Sequence, residues 1–258
     1  MYIKFNKMRL NSLNIILLIF LLFSCNNAKY TKKNHAQNIL IDSDLKPNLE
    51  IKSFIEPYRK ELDSSMGKVL SFSNQTYTKS DGELNTALGN MMADAVFELT
   101  SPIFKEKYSV DIDGVLLNHG GIRSALPKGL ITRESAFKIM PFENEIVVVK
   151  IKGVYIKEML NYLINQKKAH PISGMILEIK KNGTQKKFLI NGKNLDLNKY
   201  YFIATSDYLF NGGDRMDFFK KNKEYYEINY KIRDLLIDYF ALKDTLNISS
   251  DNRFVYTN

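Results

Sequence analysis

Cysteine occurs once in the 258 residues, at Cys25, and histidine three times, at His35, His119 and His170. One thiol allows no intramolecular disulfide, whatever the redox state of the compartment. Three scattered histidines, with no Asp-x-His or His-x-His pair anywhere, cannot furnish the crowded ligand set of a dinuclear metal centre. Glycine-rich turns are present, but none ends in the Lys-Ser/Thr of a phosphate-binding loop, which excludes a P-loop NTPase. Ser173-Gly174 and Ser206-Asp207 lack the flanking glycines of a nucleophile elbow, so a serine triad would rest on composition alone. No helix-turn-helix, zinc-finger or RNA-recognition pattern occurs, and the lysines are scattered, so the net charge of +9 does not imply a nucleic-acid partner. Internal repeats and low-complexity segments are absent too.

What is present begins with an export signal. Lys4, Lys7 and Arg9 precede the apolar run Ile15 to Phe23, which is too short to span a bilayer comfortably and has the basic flank of a signal peptide. Leu22-Phe23-Ser24-Cys25 resembles a bacterial lipobox, in which the cysteine becomes the lipidated N-terminus after cleavage. Residues 1–24 are therefore expected to be removed, lowering the charge from +9 to +6. The expected location is the cell envelope, with the membrane as partner through the lipid on Cys25 and Asn26 leaning toward the outer membrane. Residues 25–40 are polar, lysine-rich and aperiodic, a flexible tether, and residues 41–258 make one domain with a sizeable core.

Within that domain, Ile51, Ile55, Tyr58, Leu62 and Met66 recur at helical spacing after Pro47, predicting an amphipathic helix packed on the domain. Val69 to Phe72 reads as a short strand and Ser73 to Glu83 as a polar loop. Leu88 to Phe104 is helical, its Leu/Met stripe a core face and Pro102 its decline. Thr132 caps a short helix from Arg133 to Lys138. Strands follow at Ile146 to Ile151, Met175 to Lys180, Lys187 to Ile190 and Tyr200 to Thr205, with Lys181-Asn182-Gly183 as a hairpin turn. Helices are expected at Gly153 to Asn165 and Tyr226 to Phe240, and a last strand at Arg253 to Tyr256. Strands and helices mix without strict alternation, which predicts an α+β domain with a mixed sheet.

The chain is organised around Asn118-His119-Gly120-Gly121-Ile122-Arg123, which follows the buried strand Gly114 to Leu117. Consecutive glycines at a strand end expose backbone amides, Asn118 and His119 offer hydrogen bonds to a polar edge, and Arg123 can pair bidentately with a carboxylate or phosphate. A second strand, Tyr200 to Thr205, leads into Ser206-Asp207-Tyr208-Leu209-Phe210-Asn211-Gly212-Gly213-Asp214-Arg215. Between them lies Met140-Pro141-Phe142-Glu143-Asn144, where Pro141 restricts the backbone ahead of the Ile146 strand.

In order and spacing these three stretches resemble the C-terminal, substrate-binding domain of the 5′-nucleotidase family. The family pattern is Asn-x-Gly-Gly-Ile-Arg, then Pro-Phe before a strand, then an aromatic residue shortly before Gly-Gly-Asp. The likeness covers about residues 66 to 257 and includes Leu88-Gly89-Asn90 with Asp94-Ala95. It implies a nucleobase between Phe142 and Tyr208, with Asn118 and Asn144 at base or ribose edges. Asp214 would accept hydrogen bonds from ribose hydroxyls, Gly120 would lend backbone, and Arg123 would fix its loop or meet the ligand's acidic part. Three positions depart from the pattern: Tyr208 stands where phenylalanine is usual, Glu143 replaces a common glycine, and the arginine before Leu88 is missing, with only Lys79 nearby.

Family members hydrolyse phosphate esters with two metals on a separate N-terminal domain, and this chain has no residues to build that site. The expectation is therefore the nucleotide- or nucleoside-binding half of a split enzyme, with no catalytic residue and no metal or other cofactor of its own. Divalent metals are expected on a separately encoded metallophosphoesterase. The alternatives are a stand-alone nucleoside- or nucleotide-binding lipoprotein and a scaffold that has lost its ligand.

Overall fold

The computed structural model describes residues 36–42 and 45–257. Cys25, the signal run and His35 lie outside the described residues. The chain divides after Lys52 into two compact units. In the first, the only regular element among the described residues is the opening turn of helix α1 (Leu49–Met66). Asn48 caps that helix: its Oδ1 accepts the backbone N–H groups of Glu50 at 3.0 Å and Ile51 at 3.2 Å. The expectation that α1 packs by its apolar stripe is corrected. None of its residues is buried, and Phe54, Tyr58 and Leu62 are exposed. Charged residues on every turn keep it a solvated helix.

The second unit is the expected α+β domain. At its centre is a five-stranded mixed sheet in the order β10-β4-β9-β2-β5, formed by β2 (Gly114–Leu116), β4 (Glu145–Lys152), β5 (Ile172–Ser173), β9 (Tyr200–Ser206) and β10 (Glu224–Lys231). Its middle strands are almost wholly buried because both faces are covered. Val115, Val148 and Ala204 face one layer, packed by Met91, Met92 and Val96 of α2 (Ala87–Tyr108) and Leu235, Leu236 and Phe240 of α6 (Ile232–Ala241). Leu116, Val147, Val149 and Ile203 face the other, packed by Ile156, Met159 and Leu163 of α4 (Gly153–Gln166) and by Phe218 and Phe219.

Two smaller sheets flank this core. One joins β1 (Val69–Ser73) to β3 (Gly129–Thr132) and β11 (Thr245–Leu246). The other joins β6 (Met175–Lys180), β7 (Gln185–Ile190), β8 (Lys193–Asn194) and β12 (Phe254–Thr257). Short helix α3 (Arg133–Ile139) starts at Thr132, whose N–H donates to Ser135 Oγ at 3.1 Å. The Leu88-Gly89-Asn90 motif opens α2 behind a Thr86 cap, with the Gly89 N–H on Thr86 Oγ1 at 3.1 Å. Asp94, further along, is structural: it takes both terminal nitrogens of Arg253, at 2.6 and 2.9 Å, and the Ser173 hydroxyl at 2.7 Å.

Two elements differ from expectation. The chain from Tyr226 to Lys231 is strand, not helix, and α6 begins only at Ile232. Tyr226, Ile228 and Tyr230 alternate with Glu227, Asn229 and Lys231, a period of two that packs the first set on the core. Helix α2 also runs through Pro102 to Tyr108. Its last turns are held by Phe104, which is fully buried against Tyr108, Phe202 and Tyr226 with ring centroids 5.0–5.7 Å away. That burial offsets the cost of a proline in a helix.

Strand directions position the loops. β4 runs antiparallel to β9 in an unbroken register from Ile146 opposite Ser206 to Lys152 opposite Tyr200. β2 runs parallel to β9, Gly114 opposite Ile203. The loop after β2, the segment after β9, which opens with the short helix α5 (Asp207–Phe210), and the loop before β4 therefore leave the sheet at the same end.

At the opposite end Gly153 turns β4 into α4, and a Cβ there would stand 2.0 Å from the Asp196 carbonyl oxygen and 2.8 Å from Leu197 Cα. Helix propensity alone favours Gly153→Ala by about 1 kcal/mol. The clash is with backbone and cannot relax locally, so overpacking of about 3 kcal/mol decides the sign. The variant is expected to unfold at lower temperature than the parent by calorimetry; an equal or higher midpoint would contradict this reading.

Candidate functional site

The three loops enclose one cavity of about 590 Å³. Asn118, Gly120, Arg123, Phe142, Asn144, Tyr208 and Asp214 all line it, as do Glu143 and Asp207. Phe142 and Tyr208 leave 41% and 44% of their surface free. Neither ring stacks on another aromatic ring among the described residues, so both keep faces for a flat ligand. The Arg123 guanidinium lies over the Phe142 ring, 5.9 Å from its centre. Arg123 also donates to the Gly120 carbonyl at 3.4 Å, and its backbone N–H bonds Ile139 at 2.9 Å.

Asp214 is the polar centre of the cavity. One carboxylate oxygen accepts from Asn118 Nδ2 at 2.7 Å and the other from the Tyr208 hydroxyl at 2.9 Å, while Tyr162 donates to the Asp214 carbonyl at 2.9 Å. Each carboxylate oxygen retains a lone pair for a ligand hydroxyl. The Tyr208 hydroxyl, absent from a phenylalanine, thus adds an anchor for the carboxylate, and that bond raises the pKa of Tyr208 above its ordinary value. The backbone is shaped for this contact. Asp214 and Arg215 have φ of +52° and +62°, and a Cβ at Gly213 would stand 2.5 Å from the Tyr208 ring, so only glycine lets the ring lie there.

Asp207 fastens the Tyr208 loop to the Asn144 loop. Its Oδ1 accepts from Asn144 Nδ2 at 2.9 Å, from the Glu145 N–H at 3.2 Å and from the Tyr208 N–H at 2.7 Å. Asn144 uses one of its two amide N–H groups on this bond and keeps its Oδ1 as the acceptor for a ligand donor.

The Phe142 loop is gripped from α6. Arg233, buried to 7% exposure, stacks on Phe137 with its guanidinium 4.2 Å from the ring centre. It donates to the Pro141 carbonyl at 3.4 Å and to Glu143, so both neighbours of Phe142 are held by one side chain. Lys231 pairs with the other Glu143 oxygen at 2.6 Å. The glutamate that departs from the family glycine is thereby accounted for. Arg233, Asp207 and Tyr162 escaped the sequence reading because each is paired with a residue 52 to 92 positions away.

His119 does not join the seven. It lines a neighbouring recess, with its ring Nδ1 3.2 Å from the Ala169 carbonyl. Lys79, nearest to the position of the missing arginine, donates to the Ile122 carbonyl at 2.9 Å and so ties the glycine loop from below. Among the described residues, no three His, Cys, Asp or Glu side chains gather as a metal site, so the two-metal centre of the family finds no fit there.

Fold and cavity together define a ligand-binding α+β domain with its site at one end of a mixed sheet. Residues 65–221 match the family described as 5′-nucleotidase, C-terminal domain, and the chain belongs to that family. An apyrase from Tabanus yao is 22% identical over 236 residues, covering 83% of this chain and 43% of that protein. A 5′-nucleotidase from Vibrio vulnificus is 24% identical over 193 residues, covering 69% of this chain and 32% of that protein. In the crystal structure of a 5′-nucleotidase precursor from Thermus thermophilus the same fold recurs with a TM-score of 0.68 at 20% identity, over 81% of this chain and 43% of that one. The chain thus spans less than half the length of these relatives.

The Glu143 contacts make the loop sensitive to acid. Lys231 first and Arg233 second hold the Glu143 pKa below the ordinary glutamate value. A depressed folded-state pKa contributes stability that is present above the unfolded value and lost as pH falls through the folded one. Glu143→Gln is therefore expected to melt below the parent at neutral pH and to converge with it in acid below the ordinary glutamate range. Parallel melting curves across that window would exclude the charge pairing as the cause.

Proposed function

We propose that this chain is the nucleotide-binding half of a split 5′-nucleotidase-type phosphoester hydrolase in nucleotide catabolism. It holds base and ribose while a metal-bearing phosphoesterase on another chain carries out hydrolysis. The observation that carries this reading is the joint lining of one cavity by two half-exposed rings, Phe142 and Tyr208, and an anchored carboxylate, Asp214. Rings bind the base by its faces, the Asn144 oxygen can accept from an exocyclic amine, and Asp214 can accept from sugar hydroxyls. Arg123 contributes positive charge at the rim. The work of this half is positioning, which lowers the entropic part of the barrier for the partner's chemistry.

Isothermal titration of adenosine and AMP into the full chain tests the pocket. Stacking on one ring contributes about 2 kcal/mol, so Phe142→Ala is expected to weaken adenosine at least about tenfold. Equal affinity in parent and variant would remove Phe142 from the binding face, and no heat with either ligand would remove the free-standing pocket.

The proposal includes a lipid anchor at Cys25, supported by the lipobox-like Leu22-Phe23-Ser24-Cys25. No helix among the described residues is long and apolar enough to cross a membrane. Cys25→Ala is expected to abolish labelling by a fatty-acid analogue and shift the protein out of the membrane fraction. Labelling retained in the variant would place the lipid elsewhere, and an unlabelled parent would remove it.

A further inference from the structure

The end of the central sheet opposite the cavity gathers unpaired positive charge. β4 leaves the sheet at Lys152 and β9 begins after Lys199, with the Gly153 N–H on the Lys199 carbonyl at 2.9 Å and the Val154 N–H on the Leu197 carbonyl at 3.2 Å. Lys152 stands opposite Tyr200 in the ladder. Lys223 adjoins them: its N–H bonds the Lys150 carbonyl at 3.0 Å, and its ammonium lies 5.2 Å from the centre of the Tyr200 ring. Lys157, in the first turns of α4, lines a recess together with Leu197. Each contact leads to the next, so these residues form one continuous face.

The acids beside the face are already occupied. Glu158 pairs with Lys221 at 2.8 Å, Glu224 pairs with Lys150, and Asp196 Oδ1 accepts the Asn198 N–H at 2.8 Å. Lys152, Lys157, Lys199 and Lys223 have no ion-pair partner among the described residues. Among them stand Val154, Leu197 and Tyr200, each with 36–41% of its surface exposed. Four like charges without a counter-charge repel one another, and a negatively charged surface relieves that repulsion. Lysines are mobile point charges, not planar forks, so they match a diffuse array of headgroups better than a single bidentate ligand. Aliphatic side chains between the lysines gain by entering the acyl boundary, and a tyrosine suits an interface with its polar tip in water.

We infer that this end of the domain is a docking surface for an anionic lipid bilayer. Lys152, Lys157, Lys199 and Lys223 meet the headgroups, and Val154 and Leu197 reach the acyl boundary. The choice of a bilayer as occupant rests on the envelope location and lipid anchor proposed above, and not on the nucleoside reading. A lipid on a tether keeps a protein near the membrane without orienting it. The face supplies the orientation: with this end on the bilayer, the cavity at the other end of the sheet opens away from it, toward a ligand and a partner chain arriving from solution.

The chain contains no tryptophan, so Leu197→Trp places a single fluorescent reporter in the face, and Val154→Trp replaces it should the first lower the thermal midpoint. Emission of the full chain is read against vesicles of equal parts phosphatidylglycerol and phosphatidylcholine, and against phosphatidylcholine alone. A blue shift is expected with the anionic vesicles only, and added salt is expected to reverse it. With Lys152→Gln, Lys157→Gln, Lys199→Gln and Lys223→Gln combined, about a hundredfold more lipid is expected to be needed, because each charge near an anionic surface adds its own increment. An unchanged midpoint establishes that this variant is folded, and a triple variant that keeps Lys152 serves if it is not. No shift with anionic vesicles, or the same lipid requirement in parent and variant, would overturn the surface. Sedimentation with vesicles but no shift of the reporter would overturn it too, since residues 1–24 or the tether would then carry the binding. A shift with single-stranded DNA or polyglutamate but not with vesicles would replace the bilayer by that polyanion. Fatty-acid labelling at Cys25 is a separate readout, so failure of the surface and failure of the anchor are told apart.

Discussion

The register between β4 and β9 is the constraint on which the rest of the site depends. Seven residue pairs, from Ile146 with Ser206 to Lys152 with Tyr200, lock the two longest central strands antiparallel. A slip of one residue would turn Val147 and Val149 from one core layer to the other and expel Val148 from its own. The same slip would separate Asn144 from Asp207. Core packing on both faces therefore sets the position of the loops to within a residue, and the polar contacts at the sheet end refine what the core has already determined.

Those polar contacts use carboxylates as fasteners. Asp207 joins the Asn144 loop to the Tyr208 loop, Asp214 joins the Tyr208 loop to the Asn118 loop, and Glu143 joins the Phe142 loop to Arg233. Each bond is charge-assisted, and the Asn144–Asp207 and Asn118–Asp214 bonds cross between loops, so the three loops brace one another without a shared hydrophobic core. Exposed pairs contribute little to global stability, and their role here is orientation. This arrangement suits a site that binds and positions, where the rings must stay half open and yet hold their angle.

Much of this was legible in the sequence. The core strands showed as apolar runs, α2 and α4 as periodic stripes, and the three loops as glycine- and proline-marked segments of recognisable order. The seven candidate residues were named from the family resemblance that those loops carry, and they share one cavity. The errors arose where two periods compete over a short span. Tyr226 to Lys231 carries apolar residues at a spacing of two, but the helical residues that follow made it read as the start of α6. Helix α1 carried a correct helical stripe, and periodicity alone cannot say whether a stripe finds a partner.

The sequence by itself determined which segments form elements, which residues prefer the interior and which loops carry unusual chemistry, because these follow from short-range sterics and hydrophobic spacing. Only the tertiary structure decided that Arg233 holds Glu143 and Pro141 and that the Tyr208 hydroxyl anchors Asp214. The reason is physical. Hydrogen bonds and charge contacts act over a few ångströms, and chain positions 90 apart reach that distance only after strand order and direction are fixed.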